Sequence, residues 1–168
     1  MVLIFGLLGC LSARGPVPTG TPVPVTTVVT LVNPEAGQPI KPTDTVLGTF
    51  QSHFESHGWK LESMTAAGDF HQLGTSKRRA QWLMEHTDED LAVLIETEAR
   101  PRSQLGGRFQ WVVDASIIVV SEESEPTIRH ARFPTTLPHI HQSELDALQA
   151  VAPRIAAQAA GQIELHQK

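Results

Sequence analysis

The chain has 168 residues, of which 40% are hydrophobic and 18% are charged, and this composition is typical of one globular domain. Thirteen Lys and Arg residues stand against eighteen Asp and Glu, so the formal net charge is -5. Nucleic-acid-binding proteins need clustered basic residues to meet phosphates, and this balance therefore argues against nucleic acid as a partner. The single cysteine excludes an internal disulfide.

The first nine residues, MVLIFGLLG, are uncharged and mostly apolar, and they precede Cys10. This run is far shorter than the ~20 residues of a membrane-spanning helix. It also lacks the basic start of an ordinary secretory signal. The segment Leu7-Leu8-Gly9-Cys10 resembles the lipobox of bacterial lipoproteins, in which the chain is cut before the cysteine and acyl chains are attached to it.

The lipobox resemblance implies both an address and an anchor. Residues 1–9 would be a lipoprotein signal peptide, and two or more acyl chains on Cys10 would hold the protein stably on a membrane. Leu11 follows the cysteine, which resembles the sorting pattern for the outer membrane, facing the periplasm. Residues 10–24 would form a tether rich in Pro, Thr and Gly, and residues 25–168 a periplasmic domain. The alternative is a start-site artefact with an inert cysteine.

The first half of the domain predicts two strands and two helices. Residues 25–32 are rich in β-branched side chains and predict a strand. An apolar stripe with helical spacing runs through residues 43–57, and Gly58 is placed to end that helix. Residues 59–65 predict the second strand, and residues 75–86 predict a helix capped by Thr or Ser at its start.

The second half predicts three strands and a final helix. Residues 91–98 predict a strand, and residues 108–120 alternate in a way that indicates one buried face and one partly wet face. The return strand, residues 127–133, carries arginines and a histidine that discourage unwanted pairing, as is typical of a sheet edge. Ser143 and Asp146 resemble a capping box that opens the last helix.

The resulting order, β-α-β-α-β-β-β-α, predicts an α+β domain: a single mixed β-sheet of about five strands with helices packed mainly on one face. On a lipidated tether, this order resembles the periplasmic domains of the curli-secretion lipoprotein family, the penicillin-binding-protein activator lipoproteins and the N-terminal domain of TolB. The similar segments are Phe54-x-x-x-Gly58-Trp59-Lys60-Leu61, Asp90-Leu91-Ala92-Val93-Leu94-Ile95 and the hairpin bearing Val113-Asp114. The resemblance implies a scaffold for protein contacts, with no catalytic residues to carry over.

Eight histidines are the main reason to consider a metal site. His53 and His57 are four residues apart on a predicted helix, so they would share one face and could hold zinc or copper. The zincin pattern requires Glu directly after the first His, and the sequence does not have it there. His139 and His141 form a second pair in a predicted loop. The alternative is that both pairs are ordinary helix-end and surface histidines.

Trp82 is the candidate contact residue for a protein partner. Helical spacing places it opposite the predicted apolar stripe of the second helix, which comprises Ala80, Leu83 and Met84. Its predicted neighbours include Arg78 and Arg79, and an exposed Trp surrounded by charge is typical of a binding hot spot. The alternative is an arginine stacked on the indole ring for local stability.

The sequence therefore predicts a lipid-anchored adaptor or envelope-assembly protein that needs neither catalytic activity nor a cofactor. Its expected partners are the membrane, through acylated Cys10, and an unidentified envelope protein, with oligomer formation left open. The sequence shows no serine-hydrolase elbow and no phosphate-binding loop. The competing hypothesis is a histidine-dependent metal-binding or metal-sensing lipoprotein that would take zinc or copper.

Overall fold

The computed structural model describes residues 21–32, 39–64, 70–105, 108–139 and 142–167. Its strands are β1 (Val23–Val32), β2 (Pro39–Ile40), β3 (Trp59–Ser63), β4 (Leu91–Leu105), β5 (Arg108–Ser121) and β6 (Thr127–Leu137). Its helices are α1 (Asp44–Glu55), α2 (Ser76–His86) and α3 (Glu144–His166), with a short 3-10 turn at Phe70–Gln72. The predicted α+β class and element order are confirmed, with the two-residue β2 as an addition.

The strands form one mixed sheet in the order β2-β1-β4-β5-β6, and β3 also pairs with β1. β1 runs parallel to β3 and β4, whereas β4, β5 and β6 form an antiparallel meander. Burial on both faces explains why β1 is an almost continuous apolar and β-branched run. β6 lies at the end of the strand order, as its charged sequence predicts.

Helices α1 and α3 cover one face of the sheet and enclose the larger core. Thr43 caps α1 by accepting a hydrogen bond from Val46 N at 3.3 Å, and the turn that follows the helix closes at Gly58, whose φ of 82° favours glycine. The predicted capping box is present in α3, where Ser143 N donates to Asp146 Oδ2 at 2.7 Å. Local sequence therefore fixes where both helices begin.

Helix α2 lies on the opposite face of the sheet, over a smaller apolar cluster. That cluster joins Trp82 and Leu83 to Phe70 from the 3-10 turn and to the sheet residues Val28, Ala92, Leu94, Ile118 and Val120. Two of the three helices thus share a face, and the third covers only part of the other face. Within the described ranges, no helix is both long and apolar enough to cross a membrane.

Three predicted features lie outside the described residues. They are the lipobox with Cys10, the tether before residue 21, and His141. The lipidation and the division into signal peptide, tether and domain therefore stay predictions.

Candidate functional site

An open groove of about 660 Å³ lies on the sheet face that α2 only partly covers. The lining residues come from α2 and from all four long strands of the sheet: Val32, Arg79, Glu96, Thr97, Glu98, Asp114, Ala115, Ser116, His130, Ala131 and Arg132. Its volume lies within the range of about 300–1,000 Å³ that is usual for ligand pockets. Eight of these eleven residues are polar or charged, in contrast to the apolar cluster beneath α2.

Strand register places the polar residues of the floor in two neighbouring rows. In the first row, Glu96 of β4 pairs with Ser116 of β5, which pairs with His130 of β6. The second row, one repeat further along the same face, contains Glu98, Asp114 and Arg132. Since side chains on one strand face recur every two residues, all of these groups point to the α2 side.

Arg79 closes one side of the groove and ties α2 to the sheet. Its Nε lies 2.8 Å from Glu96 Oε2, although the N–H is not aligned for a directed hydrogen bond. Its two terminal nitrogens donate to Leu73 O at 2.8 Å and Ser76 Oγ at 3.3 Å. Burial raises the pKa of the Glu96 carboxyl, and the nearby Arg79 guanidinium opposes that rise. The pair therefore lies where water is largely excluded.

The second row is held by surface ion pairs. Arg132 Nε donates to Asp114 Oδ1 at 2.8 Å across β5 and β6. Arg100 binds both carboxylate oxygens of Glu98, at 2.8 and 2.7 Å. These pairs are more exposed than the Arg79–Glu96 pair, so they can exchange partners with a ligand at small cost.

Ser116 is the one groove-lining hydroxyl that is buried at its oxygen and makes no hydrogen bond to any described residue. Buried polar atoms are nearly always paired, so this hydroxyl has both a donor and an acceptor position to offer. It lies between Glu96 and His130 in the first row. The groove thus offers carboxylates, guanidinium groups, an imidazole and a free hydroxyl on one surface, which suits binding to a polar partner.

The prediction that Trp82 is exposed is wrong. Its side chain is only 8% exposed, because it packs at 4.8 Å against the Phe70 ring and stacks on His86 at 4.3 Å. Met84, predicted to face inward, is instead 40% exposed. The buried stripe of α2 is rotated toward Trp82 because the 3-10 turn brings Phe70 against that side of the helix. Trp82 is therefore a packing residue in the free protein.

The two arginines of the predicted contact site have different environments. Arg79 is partly buried and holds Glu96, whereas Arg78 is exposed on α2. Only Arg79 lines the groove. The stacked partner of the indole is His86 rather than an arginine. A partner-binding role for Arg78 stays a prediction.

The predicted His53 and His57 pair is real, and the two rings lie 4.9 Å apart. His57 Nδ1 lies 3.0 Å from His53 O, its ring stacks on Trp59, and its Nε2 lies 3.9 Å from Glu164 Oε1. Burial, and then the charge of His57, lower the pKa of His53. Among the described residues, no three His, Cys, Asp or Glu side chains are grouped to hold a metal ion.

The second predicted histidine pair is only half described. His139 is exposed after β6, and its backbone N–H donates to Gln142 Oε1 at 2.9 Å. The structure gives this side chain no link to the His53 and His57 pair.

The polar residues of the groove form a pattern in the sequence, but that pattern indicates a site only when the pairing of the strands is known. Each of three consecutive strands has two polar residues spaced by two: Glu96 and Glu98, Asp114 and Ser116, His130 and Arg132. The alternation of β5 identifies Asp114 and Ser116 as members of its wet face. Only the register shows that the three pairs are neighbours.

No protein-family model matches the chain, and no curated protein matches its sequence. Solved structures match at low identity. The lipoprotein GNA1162 from Neisseria meningitidis is 16% identical, with 83% of this chain and 99% of that one covered and a TM-score of 0.43. The PelC dodecamer from Paraburkholderia phytofirmans is 10% identical, with 86% and 94% covered and a TM-score of 0.44.

A third match is the rare lipoprotein B from Shewanella oneidensis, which is 6% identical, with 83% of this chain and 96% of that one covered and a TM-score of 0.41. The first and third of these proteins are lipoproteins by name. All three alignments extend over most of both chains.

Proposed function

We propose that this chain is a lipid-anchored adaptor or envelope-assembly protein that acts by protein contact, without a catalytic step. The groove beside α2 is the observation that carries the binding role. It combines an open surface lined mainly by polar residues, exposed ion pairs that can be exchanged, and a Ser116 hydroxyl with no described partner. A partner that supplies both charge signs and one hydrogen bond would satisfy all three features.

The anchoring part of the proposal rests on the N-terminal sequence. Leu7-Leu8-Gly9-Cys10 places a cysteine at the end of an apolar run, and residues 10–24 are rich in Pro, Thr and Gly. Acylation of Cys10 would place the domain on the periplasmic face of the outer membrane. It would also give a chemical role to the single cysteine of the chain.

Site-specific photocrosslinking in the native host tests the contact role. A photoreactive residue at position 130, on the exposed rim of the groove, should give one discrete adduct with an envelope protein. The same residue at position 149, exposed on α3 at the other side of the molecule, is the matched control and should give none. Equal labelling from both positions, or no adduct from either, would contradict a contact role for the groove.

A histidine-dependent metal protein is the alternative, and it is supported by the neighbouring rings of His53 and His57. Zinc or copper would need further ligands from water or from a partner, because the described residues supply no third group in place. Titration of the purified chain with each metal tests this hypothesis. Stoichiometric micromolar binding that His53→Ala and His57→Ala abolish would favour it over the adaptor.

A further inference from the structure

Strand β6 has an open edge beside the groove. It pairs with β5 along its length and is the last strand in the sheet order, so no described strand lies on its other side. An open edge presents unpaired backbone N–H and C=O groups that can bind another extended chain. Because His130 and Arg132 also line the groove, a chain added at this edge would widen the groove floor.

Pro134 shows which backbone groups face the open side. Proline has no N–H to donate to a neighbouring strand. It therefore fits an edge strand without loss of an inter-strand hydrogen bond only where its backbone nitrogen points away from that neighbour. The Pro134 carbonyl agrees with this direction, because it accepts a hydrogen bond from Arg154 Nη1 at 2.9 Å. In an antiparallel strand the backbone N–H and C=O groups of every second residue point to the same side. Those of Ile128, His130 and Arg132 therefore point to the open side, like those of Pro134.

The side chains along this edge are mainly basic. Arg129, His130 and Arg132 are all exposed, and Arg154 lies over the Phe133 ring at 5.3 Å. Asp114 is the acidic partner of Arg132. Asp114 offsets Arg132, whereas no described carboxylate forms an ion pair with Arg129 or Arg154, so the edge keeps unpaired guanidinium groups that favour an acidic chain.

The same charges disfavour pairing with a second copy of β6. An antiparallel pair of β6 strands centred on Arg132 would place like charges directly opposite each other, which is destabilising. Neutral chains gain no ion pairs here, and basic chains are repelled. The arginines at this edge thus disfavour basic strands and favour acidic ones.

We infer that residues 128–132 of β6 bind an extended, acidic segment of a protein partner as an added strand of the sheet. This inference deepens the proposed function, since it names the chemistry of the partner at the same surface. The added strand would place acidic side chains beside His130 and Arg132 on the groove face. On the other face its acidic side chains would lie beside Arg129.

Binding of the synthetic peptide TEVEVET to the full-length chain tests the inference, with fluorescence anisotropy as the readout. The charge-reversed peptide TKVKVKT should bind about tenfold more weakly, because attraction becomes repulsion. A TEVEVET peptide with alternate backbone nitrogens methylated keeps its charge but loses its hydrogen-bond donors, and it should also bind about tenfold more weakly. Equal binding of the methylated peptide, or no binding of TEVEVET, would overturn strand addition.

Protein variants locate the peptide. The three Glu side chains of TEVEVET share one strand face and would lie beside His130 and Arg132, so Arg132→Glu should weaken binding about tenfold. Lys41→Glu changes an exposed lysine next to β2, at the other end of the strand order, and should leave binding unchanged. Arg132→Gln is the milder variant if a reversed charge disturbs folding. Hydrogen exchange should slow on binding at the amides of Ile128, His130 and Arg132, and no slowing there would overturn the site. A crosslink from position 130 that survives failure of these peptide tests would leave the adaptor proposal intact.

Discussion

Arg78 and Arg79 are neighbours in sequence with opposite environments, and this contrast gives a matched pair of mutations. Arg79→Ala leaves Glu96 partly buried without its cation, so the free energy of unfolding should fall by about 2–3 kcal/mol. Arg78→Ala removes an exposed side chain and should change it by less than about 0.5 kcal/mol. Chemical denaturation of both variants measures the difference.

The double variant Arg79→Ala/Glu96→Gln is the control for this pair. It removes both charges at once, so it should recover more than half of the stability that Arg79→Ala loses. Equal effects of Arg78→Ala and Arg79→Ala would show that the Glu96 contact does not stabilise the fold.

His166 makes stability depend on pH. Its Nε2 lies 3.0 Å from Ser121 Oγ and 2.8 Å from Ser124 Oγ, and burial lowers its pKa below the ordinary value of 6.5. The unfolded chain therefore takes up this proton at a higher pH than the folded protein does. Stability from this group is complete above about pH 6.5 and is lost as the solution is acidified through the lowered pKa. His53, whose pKa is also lowered, acts with the same sign.

Thermal unfolding of wild type and His166→Gln between about pH 8 and pH 5 measures this effect. The melting temperature of the wild type should fall more steeply with acidification than that of the variant. Burial raises the pKa of Glu96, so the stability from that group increases on acidification, opposite to the effect of His166. Glu96 is present in both proteins, so its contribution cancels when the wild type and His166→Gln are compared. His139→Gln, at an exposed position, is the matched control, and parallel curves for wild type and His166→Gln would contradict this role.

At the scale of the element, α2 is held on the sheet by Trp82. The indole packs between Phe70 and His86, so Trp82→Ala should lower the free energy of unfolding by about 3–5 kcal/mol. Met84→Ala, at a position that is 40% exposed on the same helix, should cost less than about 1 kcal/mol. A neutral Trp82→Ala, as an exposed binding residue would give, would contradict the packing seen here.

Residues within a few positions of one another determine where the helices begin and which strand faces are buried. These features of the fold could therefore be predicted from the sequence. The capping pair of Ser143 and Asp146 and the terminating Gly58 act within one helical turn. The alternation of β5 encodes its buried face because side chains along a strand change sides at each residue. None of these features needs knowledge of a distant contact.

The orientation of α2 and the groove depend on contacts that a single sequence does not specify. Trp82 is buried because Phe70, from a 3-10 turn, packs against its side of the helix. Arg79 meets Glu96 only because α2 crosses the sheet at that strand position. The predicted exposed contact site on α2 was therefore wrong about Trp82, and the groove became visible once the register of β4, β5 and β6 was known.

In the whole domain, β1 begins at one end of the sheet, whereas the groove residues lie near the middle of the long strands β4, β5 and β6. The described chain enters at Val23, where β1 pairs with Trp59 of β3. The groove begins near Val32, at the other end of β1. The proposed anchor at Cys10 precedes β1 in the chain, so it would be joined to the domain at the end of the sheet where β1 begins, and it would not interrupt the strands that line the groove.

Intact mass of the native protein, combined with membrane fractionation, tests the proposed anchored adaptor most directly. A lipid-anchored adaptor should begin at Cys10, carry added acyl mass and be recovered with the outer membrane, whereas Cys10→Ala should be recovered without acyl mass and away from that membrane. An unmodified wild-type chain that retains residues 1–9 and fractionates like Cys10→Ala would contradict the anchor and the location on which the adaptor role depends.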